Sequence, residues 1–268
     1  MTRDDGKEAV TMVEVGDYAL RVRVAGEGPP VILDCGGAGQ GLGAWGTALE
    51  QALADRATVV TYDRAGVGGS GGRQTGDVTA MADDLHRLVN AMDLPLPATF
   101  VGWSFGALVT QVHAARYPDD VAGLVFVDPT VAGTPPGFAF AQRLSFALAP
   151  KLLRLRAAFG GGNAQALREL AVTLAGMRQA MAEAEKARAE PGLPRVPIRV
   201  ITAGKRPRMP RSQLDYLTAD HRALAGEAPL GRVVVAEKAS HQVPFEQPEL
   251  IADAVGELLR STPPEVAG

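Results

Sequence analysis

The chain has 268 residues, a formal charge of −3, 46% hydrophobic residues, 31 glycines, 19 prolines and one cysteine. The acidic balance argues against a nucleic-acid-binding surface; the lone cysteine rules out an intrachain disulfide and fits a reducing compartment. There is no run of eighteen apolar residues, and MTRDDGKEAV lacks the basic and then apolar stretch of a signal peptide, so a soluble cytoplasmic protein with no membrane partner is expected.

Taken in chain order, residues 11–15 and 18–25 alternate apolar and polar around a Gly-Asp turn, which predicts an antiparallel hairpin at a sheet edge. Six further strands are predicted at 31–35, 58–62, 99–103, 123–128, 198–203 and 232–236. They are apolar throughout, as strands covered on both faces should be. Asp77 reads as the N-cap of a helix carrying Val78, Met81, Leu85, Leu88, Val89 and Met92 on one face. Helices are also predicted over 107–117, over 211–225 and, opened by Pro248, through Leu258. Strand followed by helix, repeated, predicts an α/β fold with a mostly parallel, doubly wound sheet. Residues 130–196 break the alternation with an apolar helical run over 138–155, a triple glycine and an Ala-rich helix over 164–189. They are expected to form a helical cap inserted before the penultimate strand, over a core of residues 1–129 and 197–268.

The pattern G-x-S-x-G occurs twice, around Ser70 and around Ser104. A nucleophile elbow needs a strand entering, a sharp turn at the serine and a helix leaving with its amides aimed at the forming oxyanion. Ser104 stands between the strand ATFVGW and the helix ALVTQVHAARY and meets that demand. Ser70 sits among four glycines with no helix before about Val78, and is expected to lie in a flexible loop bordering the site. Two G-x-G-x-x-G matches, starting at Gly41 and Gly66, lack the strand–turn–helix frame of a dinucleotide site, so no cofactor or metal is expected.

Ser104 needs a base, an orienting acid and oxyanion donors. Of four histidines, His86 and His113 fall inside helices and His221 on a polar helical stretch, each a surface or packing residue. His241, in the loop between the last strand and the last helix, is the candidate base. Asp128 ends the strand after the nucleophile's and is the preferred acid, with Asp215 as the alternative; Asp before Pro is also a common strand-ending turn. The backbone N–H groups of Phe105 and Gly37 are the candidate oxyanion donors. Cys35, at the end of a buried strand, is read as an inert small hydrophobe.

VILDCGGAG, TYDRAGVGGSGG, VGWSFGALV, LVFVDP and ASHQVPFEQPELIADAV together resemble the α/β-hydrolase superfamily over nearly the whole chain. The resemblance implies that Tyr62-Asp63-Arg64 with Gly66, Gly68 and Ser70 forms a structural loop. Two departures stand out. Cys35-Gly36 replaces the usual His-Gly of the oxyanion loop, and the segment after the post-cap strand, Ala203 to Arg208, holds three cations where the acid usually lies. Similarity to haloalkane dehalogenases, which place the acid after the pre-cap strand, supports Asp128; their chemistry needs Asp where this chain has Ser104. The expected activity is a serine hydrolase acting on a small ester, lactone or thioester. Phe138, Phe140, Leu144, Phe146 and Leu148 are expected to line an apolar acyl pocket. A lyase, isomerase or cyclase using the same residues, a non-catalytic binding protein and a dehydrogenase are the alternatives. Oligomeric state is not legible.

Overall fold

Alternating β-branched runs give the first hairpin, and buried ones give the sheet. The computed structural model describes residues 9–39, 41–133, 139–206 and 208–261, without the side chains of residues 9 and 139–143. Its elements, in chain order, are β1 (Ala9–Glu14), β2 (Ala19–Ala25), β3 (Pro30–Asp34), α1 (Thr47–Ala54), β4 (Thr58–Tyr62), α2 (Val78–Ala91), β5 (Ala98–Trp103) and α3 (Gly106–Arg116). β6 (Val121–Val127), α4 (Ala139–Ala158), α5 (Ala164–Ala189), β7 (Ile198–Ala203), α6 (Arg211–Gly226), β8 (Arg232–Ala236), α7 (Val243–Glu246) and α8 (Pro248–Ser261) follow.

The strands form one sheet in the order β1-β2-β4-β3-β5-β6-β7-β8. β1 pairs antiparallel with β2 and β2 with β4; every later pair is parallel. Period two sorts the central side chains onto two faces. Val31, Leu33, Val101 and Val127 meet Leu49 and Leu53 of α1 and Ile251, Val255 and Leu258 of α8. Ile32, Phe100, Leu124 and Phe126 meet Leu85 and Leu88 of α2, Ala107 and Ala114 of α3 and Leu224 of α6. Helices on both faces of a parallel sheet make the doubly wound arrangement that the sequence predicts.

Two expectations need correction. β8 closes the sheet as its last strand, with Val233 and Val235 exposed, so its apolar run does not mark burial on both faces. The short, roughly two-turn α1 was not predicted; Leu49 and Leu53, four residues apart, anchor it. Asp77 caps α2 as expected, accepting from the N–H groups of Thr79 and Ala80. Between β6 and β7 the regular elements among the described residues are helices alone, and α5 packs its Met177, Ala180, Met181 and Ala184 against Met81 of α2 and Leu108 and Val109 of α3.

Candidate active site

The turn from β5 into α3 shapes the site. Ser104 takes φ 55, a left-handed value that costs a side chain about 1–2 kcal/mol. The turn is tight because its neighbours are glycines. A Cβ on Gly106 would lie 2.2 Å from the Asp34 carbonyl oxygen, and one on Gly102 would lie 2.7 Å from the Ala107 Cα. Ser104 N–H donates to the Val127 carbonyl at 3.0 Å, and its own carbonyl accepts from the N–H groups of Ala107 (3.2 Å) and Thr130 (3.0 Å). The turn is thus tied to β6 and to the segment after it.

His241 reaches Ser104 from the β8–α7 loop. Its Nε2 lies 2.8 Å from Ser104 Oγ and its Nδ1 lies 2.6 Å from Asp128 Oδ2. The loop is held beside the imidazole: the Trp103 indole donates to the His241 carbonyl at 3.0 Å, and Ser240 N–H donates to Glu246 Oε2 at 2.7 Å. The imidazole is half-exposed, whereas Asp128 is buried. The chain brings Ser104, His241 and Asp128 together from three separate segments. Asp215 lies exposed on α6, and the carboxylate paired with the imidazole's Nδ1 is that of Asp128.

Sequence reasoning missed the groups around Asp128. Arg206, one of the three cations after β7, pairs with both carboxylate oxygens, at 2.6 Å to Oδ1 and 3.1 Å to Oδ2. Ala203 N–H donates to Oδ1 at 3.0 Å. Burial alone would push the Asp128 carboxyl up. The His241 hydrogen bond, the Arg206 charge and the Ala203 amide outweigh it and hold Asp128 below the usual carboxylate range. Arg206 also donates to Thr202 Oγ1 at 2.5 Å. Thr202 Oγ1 lies 3.0 Å from His221 Nδ1, and His221 Nε2 lies 3.1 Å from the Pro129 carbonyl. A carbonyl only accepts, so Nε2 carries the proton and Nδ1 accepts from Thr202. His221 is therefore a buried packing residue whose pKa is lowered by burial, and it ties α6 to the segment that holds Asp128. His86 and His113 lie together against Tyr117, which follows α3, and His86 pairs with Asp120 at 2.7 Å.

Gly37 lies beside Phe105, since a Cβ built on it would sit 3.5 Å from the Phe105 Cβ. Beneath this loop the buried Arg64 donates to Asp34, to the Cys35 carbonyl and, at 3.1 Å, to the Gly36 carbonyl. Burial opposes the Arg64 charge, but Asp34 outweighs it and keeps the guanidinium protonated. From above, Thr173 of α5 donates its hydroxyl to the Gly37 carbonyl at 2.8 Å. Neither Arg64 nor Thr173 stands out in the sequence as a site residue. Burial pushes the Cys35 thiol up to about 12, which leaves it without thiolate character.

Ser70 has its hydroxyl occupied. Its Oγ donates to the Asp63 carbonyl at 2.6 Å and accepts from Arg21 N–H at 2.8 Å. Asp63 accepts from Leu42 N–H at 2.6 Å and Gly69 N–H at 2.8 Å. The expected flexible glycine loop is instead pinned at both ends. The pocket expectation also changes: Leu144 and Leu148 point to solvent, and Phe146 is half-buried against the cluster of Phe105, Leu108 and Met177. Phe138 and the Phe140 side chain lie outside the described residues. Among the described residues no three His, Cys, Asp or Glu side chains are grouped to hold a metal ion.

A sequence model of the alpha/beta hydrolase family matches residues 35–254. The chain belongs to the alpha/beta hydrolase family. It is 41% identical over 108 residues to the pimeloyl-[acyl-carrier protein] methyl ester esterase of Chromobacterium violaceum, a match covering 40% of each protein. The matches to the curated relatives thus span about two fifths of their length. Among solved structures it resembles a thermophilic esterase from Thermogutta terrifontis, with TM-score 0.72, 22% identity, and 95% of this chain and 99% of the other covered. An enol-lactonase from Burkholderia xenovorans follows, with TM-score 0.67, 22% identity, and 93% and 100% covered. At these identities the structural likenesses speak for the fold of this alpha/beta hydrolase.

Proposed function

We propose that this alpha/beta hydrolase cleaves a small-molecule carboxylic ester, lactone or thioester through an acyl-enzyme on Ser104. The observation that carries the reading is the continuous hydrogen-bonded line from Ser104 Oγ through His241 to Asp128, at 2.8 and 2.6 Å. His241 takes the Ser104 proton as Oγ attacks the carbonyl and returns it to the leaving oxygen or sulfur. Asp128 fixes the ring with Nδ1–H toward itself, so that Nε2 is the basic nitrogen, and stabilises the imidazolium that forms.

The oxyanion donors in this reading are the N–H groups of Phe105 and Gly37. In a trans peptide the C=O and the following N–H point in opposite directions. The Ser104 carbonyl is turned toward Thr130 and Ala107, which supports the Phe105 N–H facing the site. The Gly36 carbonyl is turned toward Arg64, which supports the Gly37 N–H pointing away from the guanidinium, on the site side. One such donor contributes about 3 kcal/mol to the transition state. The start of α3 adds its dipole.

Residues 130–196 serve in this reading as the cap, with α5 held to the oxyanion loop through Thr173. The acyl group then meets Phe146 rather than Leu144 and Leu148. The methyl ester esterase activity named for the relative from Chromobacterium violaceum also favours ester cleavage.

The test is a panel of esters, lactones and thioesters of graded acyl length, run with wild type and Ser104→Ala. Wild type is expected to turn over part of the panel and to gain one fluorophosphonate adduct by intact mass. Ser104→Ala is expected to lose about 10⁴-fold or more in kcat and to gain no adduct. Retained turnover in Ser104→Ala would move the protein to lyase or isomerase chemistry driven by His241 as base.

A further inference from the structure

α4 is apolar on two faces, and among the described residues only one of them is covered. Phe146, Ala149, Pro150, Leu153 and Ala157 are buried or half-buried on the side that packs against α5. The other side carries Leu144, Leu148, Leu152, Leu155 and Phe159, all exposed, Leu152 at 63% and Phe159 at 85%. Spacings of four, four, three and four residues place these five within an arc of about 80° along the helix and its first following residue. A surface helix normally presents a polar face to water, so this row is a second, unfilled apolar stripe.

Its charge surroundings point to the occupant. At the same 100° per residue, Lys151 and Arg154 flank the row on one side and Arg156 on the other, all exposed. From residue 129 to residue 168 the sequence has five cations, Arg143, Lys151, Arg154, Arg156 and Arg168, and no Asp or Glu, in a chain whose net charge is −3. An open cleft of about 510 Å³ at the row's end, lined by Arg156, Phe159, Gly160, Gly161, Asn163 and Leu167, gives a phosphate room beside the last aromatic ring. A second copy meeting this face across a two-fold axis would bring the flanking cations against one another, which disfavours self-association. No helix among the described residues is long and apolar enough to cross a membrane, a criterion that does not bear on a helix lying in the interface plane.

We propose that α4 is an interfacial helix that seats the protein on an anionic phospholipid surface, with Leu144 to Phe159 entering the acyl boundary and the flanking cations meeting phosphates. This surface is separate from the Ser104 site, and the proposal stands whether or not that site is hydrolytic. It also revises the expectation of no membrane partner, which rested on the absence of a spanning segment.

The experiment is co-sedimentation of the full chain with vesicles of phosphatidylcholine alone and of phosphatidylcholine with about one third phosphatidylglycerol, alongside light scattering in solution. Binding is expected to the anionic vesicles only and to weaken about tenfold as salt is raised severalfold. Leu152→Glu with Phe159→Glu is expected to lower affinity about 100-fold while leaving the thermal melt unchanged, because both side chains are exposed. Lys151→Glu with Arg154→Glu is expected to abolish the preference for anionic lipid. Failure to bind anionic vesicles overturns the proposal. So does binding that survives the Leu152/Phe159 pair, or a dimer that this pair dissociates in a protein that binds no vesicles.

Discussion

Replacing Arg206 tests the electrostatics of the site without touching the groups that would meet substrate. Asp128 is 2% exposed in its side chain and Arg206 16%, so the pair belongs with buried rather than surface ion pairs. Breaking a buried pair from one side costs about 3–5 kcal/mol, because the remaining charge is left in low dielectric. In Arg206→Gln the carboxylate keeps the His241 hydrogen bond and the Ala203 amide, which reduces the expected loss to about 2 kcal/mol at pH 7. The pH dependence follows from the depressed pKa of Asp128. A carboxyl held low in the fold adds stability above its unfolded pKa, and that stability disappears as pH falls through the folded value. Removing the cation raises the folded value. The gap between wild type and variant is therefore full at neutral pH, narrows once pH reaches the variant's raised value, and closes below the wild-type value. Urea unfolding of both proteins from pH 7 down through the carboxylate range measures this directly. Equal stability at pH 7, or a loss that does not change with pH, would refute the ion-pair argument. Turnover is expected to fall about tenfold as the carboxylate loses its fixed orientation, still well above an Asp128→Asn variant.

Two other substitutions separate contact from chemistry. A Cβ on Gly37 would lie 2.7 Å from Thr173 Cγ2; Gly37→Ala is expected to lower kcat by about 10- to 100-fold, and adding Thr173→Ser, which keeps the hydroxyl and removes that methyl, should recover most of the loss in a steady-state assay. Ser70→Ala removes two hydrogen bonds, one donated to the Asp63 carbonyl and one accepted from Arg21 N–H. It is expected to cost about 1–2 kcal/mol in denaturant unfolding and to leave fluorophosphonate labelling intact.

What the sequence revealed depended on how local its cause was. The central strands were legible because both faces are covered, which makes the run of β-branched residues continuous. β8 carries the same kind of run, yet nothing in the run distinguishes an inner strand from an outermost one. Ser104 was legible because strand, turn and helix are contiguous around it. Arg206 was not, because its partner lies 78 residues away; the only trace was a cation-rich segment lacking the expected carboxylate. Periodicity likewise showed that α4 was apolar without showing which face turned inward. Leu144 and Leu148 read as well for a pocket as Phe146 did, and only the packing of α5 separates them.

The placement of Asp128 explains why a cation follows β7. β6 and β7 are neighbouring parallel strands, so their C-terminal ends lie side by side next to the loop that delivers His241. A carboxylate on either end could reach the imidazole. Placed directly after β6, Asp128 turns at φ 40, donates its N–H to the Ile201 carbonyl of β7 at 2.6 Å and receives the Ala203 N–H on Oδ1. The neighbouring strand end thus anchors both the backbone and the side chain of Asp128. A second carboxylate after β7 would set two negative charges beside one imidazole and raise the pKa of one of them. An arginine there instead neutralises the buried charge and, by its fork, fixes the plane of the carboxylate. Through Thr202 and His221 the same side chain reaches the carbonyl of Pro129, the residue after Asp128. The chain therefore holds Asp128 from both sides of its own peptide link to Pro129, and the segment without a carboxylate completes the support of the Asp128 side chain.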